Sequence, residues 1–117
     1  MKSYIAHEVF GGIYCKDSRQ FVDKRLDRMP SAQAGIIFND NGTHLISYTT
    51  LVCTIDNEGW LSCTGTYSAT TRKHIGAFLK ECAPNMCYYD AKACYENNHM
   101  INIHTGEIRQ LAMVVNC

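Results

Sequence analysis

The sequence lacks an excess of charge of either sign. Eleven Lys and Arg oppose eleven Asp and Glu, giving a formal net charge of +0 over 117 residues. A bulk electrostatic grip on nucleic acid is therefore not expected, because such binding runs on a basic surplus. An acidic protein posing as DNA is equally unsupported, and only a local patch of one sign remains open. The sequence also lacks an apolar window long enough to cross a bilayer. Its first residues, MKSYIAHEVFGG, carry neither the apolar core nor the cleavage site of a secretory signal. Those two absences predict a soluble, intracellular protein.

Other absences bear on chemistry. Seven cysteines are present, yet no Cys-x2-Cys knuckle occurs. Zinc sites usually bring their ligands in such pairs, so Cys82, Cys87 and Cys94, with His99 beyond them, are read as small core side chains and no metal is expected. An odd number of cysteines leaves a free thiol in a monomer, and without a secretory signal the compartment is reducing, so buried thiols are the expectation. No GxxxxGK[ST] loop, no HExxH and no His-x-Glu motif is found, and the aromatic signature of RNA-binding sheets is missing. Five histidines and seven thiols make some Cys–His pairing inevitable, but no catalytic signature surrounds any of them. The sequence thus predicts no catalytic residue and no cofactor.

What is present describes one domain over residues 1–117. A chain of this length buries about two-thirds of its unfolded surface and folds without staples. Ser18 as cap, Phe21, Val22, Leu26 and Met29 on one side, and Pro30 beyond predict a short helix over 19–29. Ala34 to Phe38 starts a strand, and Asn39-Asp40-Asn41-Gly42 is turn chemistry. A β-rich run covers 43–56. Asn57-Glu58-Gly59 then makes a three-residue hairpin loop with Gly59 left-handed, which pairs Asp56 with Trp60, Ile55 with Leu61 and Cys53 with Cys63. One face of that hairpin reads as core. The other, with Thr50, Thr54, Trp60, Ser62, Thr64 and Thr66, reads as a solvated or recognition surface.

The stretch YSATTRKHIGAFLKEC, residues 67–82, holds the strongest helix signal. Ser68 can cap Thr71, with Thr70 as the alternative cap, and Thr71, Ile75, Phe78, Leu79 and Cys82 form one apolar stripe over 69–82. Ala83-Pro84-Asn85 ends it. A shorter helix is expected over 86–96, ended by Asn97-Asn98, and a last hairpin turns at Thr105-Gly106. The predicted fold is α+β: an antiparallel β-sheet of two hairpins packed against two to three short helices.

Cations at a helix start oppose the helix dipole unless they serve an anion or a partner. Thr70, Arg72, Lys73 and His74, with Trp60 on the neighbouring hairpin, are therefore the candidate partner-binding residues. Helix starts also attract phosphate, so a small nucleic-acid- or nucleotide-binding module using 68–74 is the alternative.

Residues 47–81, SYTTLVCTIDNEGWLSCTGTYSATTRKHIGAFLKE, resemble a small uncharacterised domain found in phages, mobile elements and gut Firmicutes. The shared succession is a Tyr-Thr strand, an Asp-x-x-Gly-Trp/Leu turn, then Tyr-Ser-x-Thr-Thr-Arg-Lys-His-Ile leading into the helix. The likeness covers about a third of the chain, and Asn102 to Glu107 extends it. No enzymatic activity comes with the resemblance. It implies a phage or mobile-element setting in the cytoplasm of a bacterial host. In that setting the expected role is a non-enzymatic, anti-CRISPR-like inhibitor. Its partner would be a host protein, either a CRISPR effector or another defence nuclease, with nucleic acid and membrane not favoured.

Overall fold

The computed structural model describes residues 22–65 and 68–111. Among them, seven strands form one antiparallel sheet in sequence order: β1 (Lys24–Arg25), β2 (Ala34–Asn39), β3 (Gly42–Ser47), β4 (Thr50–Ile55), β5 (Trp60–Cys63), β6 (His99–Asn102) and β7 (Ile108–Gln110). Two helices, α1 (Ala69–Cys82) and α2 (Tyr88–Asn97), lie in the chain between β5 and β6. The fold is α+β, and its sheet is larger than two hairpins.

The predicted helix over 19–29 does not form. Residues 19–21 lie outside the described residues; from Val22 onward the chain is extended and turning, and β1 pairs with β2 through Lys24–Ile36 and Arg25–Gly35. The apolar spacing misled because Val22 and Leu26 serve opposite faces of the sheet. Leu26 is fully buried in the core that the helices share. Val22 lies over Gly35, where an added Cβ would come within 2.5 Å of the valine side chain. Asp23 fastens the edge, donating its N–H to the Ile36 carbonyl (2.9 Å) and accepting the Phe38 N–H (2.8 Å).

The β-rich run over 43–56 is two strands, not one. It folds back at Tyr48, whose φ of 57° is left-handed without glycine or asparagine. Such a backbone costs a non-glycine residue on the order of 1 kcal/mol or more. Here it is held by the Tyr48 N–H donating to the Gln33 carbonyl at 2.7 Å. A register shift between Leu45 and Ile46 then lets β4 carry one extra residue, and Val52 joins the core.

The second hairpin forms as the sequence predicts. Gly59 has φ 90°, the Asp56 N–H donates to the Trp60 carbonyl (3.0 Å), and Cys53 faces Cys63. The helix over 69–82 also forms. The Ser68 side chain accepts from the Thr71 N–H (3.2 Å), and Thr71, Ile75, Phe78 and Leu79 are buried. The shorter helix begins at Tyr88, with the Asp90 carboxylate accepting the Cys87 N–H (2.8 Å), and ends on Asn98 at φ 54°. On this helix Ala91 and Cys94 are buried, while Tyr95 and the cap residue Cys87 are exposed.

Both faces of the sheet carry buried residues at its centre. The helical side is filled by Ala34, Ile36, Leu45, Cys53, Ile55 and Leu61 against Ile75, Phe78, Leu79, Ala91 and Cys94. On the other side Ile37, His44, Ile46, Leu51, Thr54 and Trp60 are also buried. The expectation that Trp60 and Thr54 face solvent is therefore corrected: the period-2 pattern separates two faces, and here both carry buried residues, while Thr50, Ser62 and Thr64 are half-buried.

Gly35→Ala should force β1 off β2, because the new methyl meets both the Val22 side chain and the Lys24 carbonyl. The expected loss is about 1–3 kcal/mol, read as a lower urea midpoint at unchanged slope.

Candidate functional site

A buried polar cluster sets the position of α1. Ser47, at the end of β3, lies on the helical side of the sheet beside Ala34. Its Oγ is 2.8 Å from His74 Nδ1 and 3.1 Å from Thr71 Oγ1, and Ser68 Oγ donates to Thr71 Oγ1 at 3.3 Å. Every hydroxyl hydrogen finds an acceptor when the order runs Ser68 to Thr71 to Ser47 to His74 Nδ1. In that order His74 is the neutral tautomer with its hydrogen on Nε2. Burial lowers the His74 pKa, in agreement. The exposed Tyr48 ring rests 5.8 Å from the imidazole. A Ser–His pair invites comparison with a catalytic dyad, but Ser47 and His74 are 2% and 1% exposed. No substrate reaches that hydroxyl in this arrangement; the cluster clamps the helix start to the sheet.

With His74 and Thr71 turned inward, the rest of the first turns faces out. Thr70, Arg72 and Lys73 are exposed. Thr70, Lys73, Ala77 and Lys80 repeat at helical spacing. They run beside an open groove of about 430 Å³ lined by Arg28, Met29, Lys73, Gly76, Ala77 and Lys80. The groove has an apolar floor and a basic rim. Met29 and Ala77 supply the floor, and Gly76 leaves it flat, since a Cβ there would meet nothing within 4 Å. Arg28, Lys73 and Lys80 stand at the edges, and Arg72 lies one turn before Gly76.

Those cations are unpaired among the described residues. The nearby carboxylates of Glu81 and Asp27 are taken by Lys24, which is held above its usual pKa by its hydrogen bonds to Asp27 and Glu81. Glu81 also accepts the Asp27 N–H at 2.9 Å. The ion pairs of the described residues are these two and Lys92–Glu96.

Of the five residues the sequence singles out, the structure brings Thr70, Arg72 and Lys73 to one surface and removes the other two from it. His74 belongs to the clamp. Trp60 is 5% exposed, its N–H bonds to the Asp56 carboxylate (3.0 Å), and the Arg109 guanidinium lies 4.1 Å from its ring centre. Sequence reasoning missed Arg28, Met29, Gly76, Ala77 and Lys80. The last three were legible from helical spacing once Lys73 was chosen; Arg28 and Met29 were hidden by the mistaken helix over 19–29. Among the described residues no group of three or more His, Cys, Asp or Glu is placed to hold a metal ion. No helix of the described residues is long and apolar enough to cross a membrane.

Residues 20–93 match the model of a family described as "Family of unknown function (DUF8033)". The chain belongs to this family. The match takes in β1 to β5, α1 and the start of α2, so the clamp and the whole groove lie inside the family's span. No curated protein and no solved structure matches the chain.

Two buried histidines give the fold a pH dependence of known sign. His44 is neutral, its Nε2–H donating to Asn39 Oδ1 (2.7 Å) and its Nδ1 accepting from Thr54 Oγ1 (2.9 Å), and burial lowers its pKa as it does that of His74. The unfolded chain therefore binds protons first as pH falls. Stability should be constant above about pH 7 and fall below about 6.5, by at most about 1.4 kcal/mol per pH unit for each histidine. Urea midpoints between pH 7.5 and 5.5 check this, and His44→Asn/His74→Asn should flatten the slope. A midpoint that rises on acidification contradicts the neutral assignment.

Proposed function

We propose that this chain is a non-enzymatic interaction protein that binds a partner protein through the groove beside α1. The observation carrying this reading is the set of cations around an apolar floor, Arg28, Lys73 and Lys80 with Arg72 one turn before Gly76, that have no carboxylate partner among the described residues. Such a surface complements an acidic segment that presents an apolar side chain, with the floor contributing area and the rim contributing register and rate. The floor favours protein over nucleic acid, because phosphate backbones offer nothing to Met29 and Ala77. The narrower form of the proposal, a phage- or prophage-encoded inhibitor of a host defence complex, rests on the resemblance of residues 47–81 to the phage and mobile-element domain. In that form the chain acts stoichiometrically, occluding a channel or locking one conformation of its target.

The test is capture from nuclease-treated bacterial lysate, comparing the native chain with Arg72→Glu/Lys73→Glu and with Lys92→Glu, whose cation is paired with Glu96 on α2. The expected outcome is a stoichiometric protein retained by the native chain and by Lys92→Glu. The groove variant should bind it at least about tenfold more weakly, with little change in melting temperature because both side chains are exposed. Identification of that protein as part of a defence complex supports the narrower form. Equal capture by the groove variant overturns the site. Nucleic acid captured before nuclease and lost after it turns the assignment to the nucleic-acid module.

A further inference from the structure

Three thiols that the groove does not use are gathered where β4, β5 and α2 meet. Cys53 and Cys63 are direct cross-strand partners, and Cys94 directs its S–H to the Leu61 carbonyl at 3.6 Å. The hydrogen-bond ladder fixes which kind of pair the first two make. The Thr64 N–H donates to the Val52 carbonyl (2.9 Å) and the Asp56 N–H to the Trp60 carbonyl (3.0 Å). Bonded rungs therefore fall at 52–64, 54–62 and 56–60, and Cys53–Cys63 lies between two of them. At such non-hydrogen-bonded pairs the Cα atoms stand about 4.5 Å apart and the side chains are closest. Disulfides span Cα separations of about 4.4–6.8 Å, so this pair closes with little backbone movement.

Access differs among the three. Cys53 is 1% exposed, whereas Cys63 is half-buried. Cys63 and Cys94 open onto a cleft of about 370 Å³ bordered by Ser62, Thr64, Tyr95 and Asn98. That volume is in the range of small-molecule sites, about 300–1,000 Å³, and its border carries hydroxyl and amide groups. The thiols also differ in acidity. Cys53 is held well above the usual thiol value, because its S–H donates to Cys63 and because it is buried. Burial pushes Cys94 up to about 12. Cys63, which receives the Cys53 hydrogen, is lowered. Of the two thiols that line the cleft, Cys63 is the more exposed and the one whose pKa is lowered, and its S–H reaches the Gly65 carbonyl at 3.3 Å.

We propose that Cys63 is a thiol–disulfide exchange site for small-molecule disulfides, with Cys53 as the resolving thiol. In the first step the Cys63 thiolate attacks one sulfur of a disulfide RSSR. A Cys63–S–S–R bond forms, the RS–SR bond breaks, and the departing RS⁻ takes up the proton that Cys63 gave up. In the second step the Cys53 sulfur, losing its proton, attacks Cys63 Sγ. The Cys53–Cys63 bond forms and the second RS⁻ leaves with that proton. Two protein thiols are oxidised by two electrons, and RSSR is reduced to two RSH.

The full chain, folded, is incubated with glutathione disulfide, then alkylated and digested with trypsin without reduction. The tryptic peptide 29–72 contains Cys53 and Cys63 and no other cysteine. The expected course is a transient glutathione adduct on Cys63, followed by a peptide lighter by two hydrogens. In Cys53→Ala the adduct on Cys63 should persist. Where that variant fails to fold, the order of species in the native chain decides. An adduct appearing first on Cys53, a bond joining Cys63 to Cys94, or an unreacted Cys63 while the exposed Cys87 is consumed each overturns the proposal.

Discussion

The contact on which the rest of the surface depends is the hydrogen bond from Ser47 to His74, 2.8 Å long and sealed from water. A helix that follows a sheet by a short connection is free to roll about its axis unless something fixes the rotation. Apolar burial of Ile75, Phe78 and Leu79 sets that rotation only loosely, because hydrophobic contact is not directional. A hydrogen bond is directional, and a buried one is costly to leave unmade. Once Ser47 holds both Thr71 and His74, the residues between and before them, Thr70, Arg72 and Lys73, have nowhere to point but outward. The rotation that buries one cluster builds the other. Ser47 itself is placed by the turn at Tyr48, so a left-handed residue in the sheet determines which cations the helix offers to a partner.

What was legible in the sequence follows from how local each signal is. Helix α1 is readable because its cap, its apolar stripe and its proline stop all lie within one short stretch. The Asp56–Trp60 hairpin is readable because Gly59 states its own turn type. Turn chemistry said nothing at Tyr48, since Tyr and Thr are strand formers and the turn is held by a bond to Gln33, in the bend before β2. The error over 22–29 has the same origin. Val22 and Leu26 obey helical spacing, and only the presence of a sheet between them assigns them to different faces. Trp60 was misplaced because alternation along a strand tells which residues share a face but not whether that face is wet. For the site, the cations of α1 were visible and the groove was not, because its other wall comes from the segment mistaken for a helix.

The groove and the thiol cluster share no residue, and they depend on different parts of the sheet. The groove is built by α1 and the turn after β1. The thiols belong to β4, β5 and α2, where Cys53 contributes to the core that α1 also fills. Cys53 also pairs with Leu45 of β3, the strand that carries Ser47, so one strand stands between the thiol pair and the clamp. Oxidation at Cys63 and binding at the groove use different residues, so each can be tested without the other.

A net charge of +0 suggests a surface with no preference, yet charges that sum to zero need not be spread evenly. The acids are largely spent on the backbone and on one lysine. Asp23 accepts the Phe38 N–H, Asp56 accepts those of Glu58 and Trp60, and Asp90 caps α2. Asp27 and Glu81 converge on Lys24. An acid that satisfies backbone N–H groups is fixed where the fold needs it, whereas Lys and Arg have no acceptor to offer a backbone N–H. Among the described residues the division of labour leaves Arg28, Lys73 and Lys80, the cations that border one groove, without an ion pair. Composition counted every charge equally; the fold does not, because hydrogen bonding holds the negative ones in place and leaves the positive ones to meet something else.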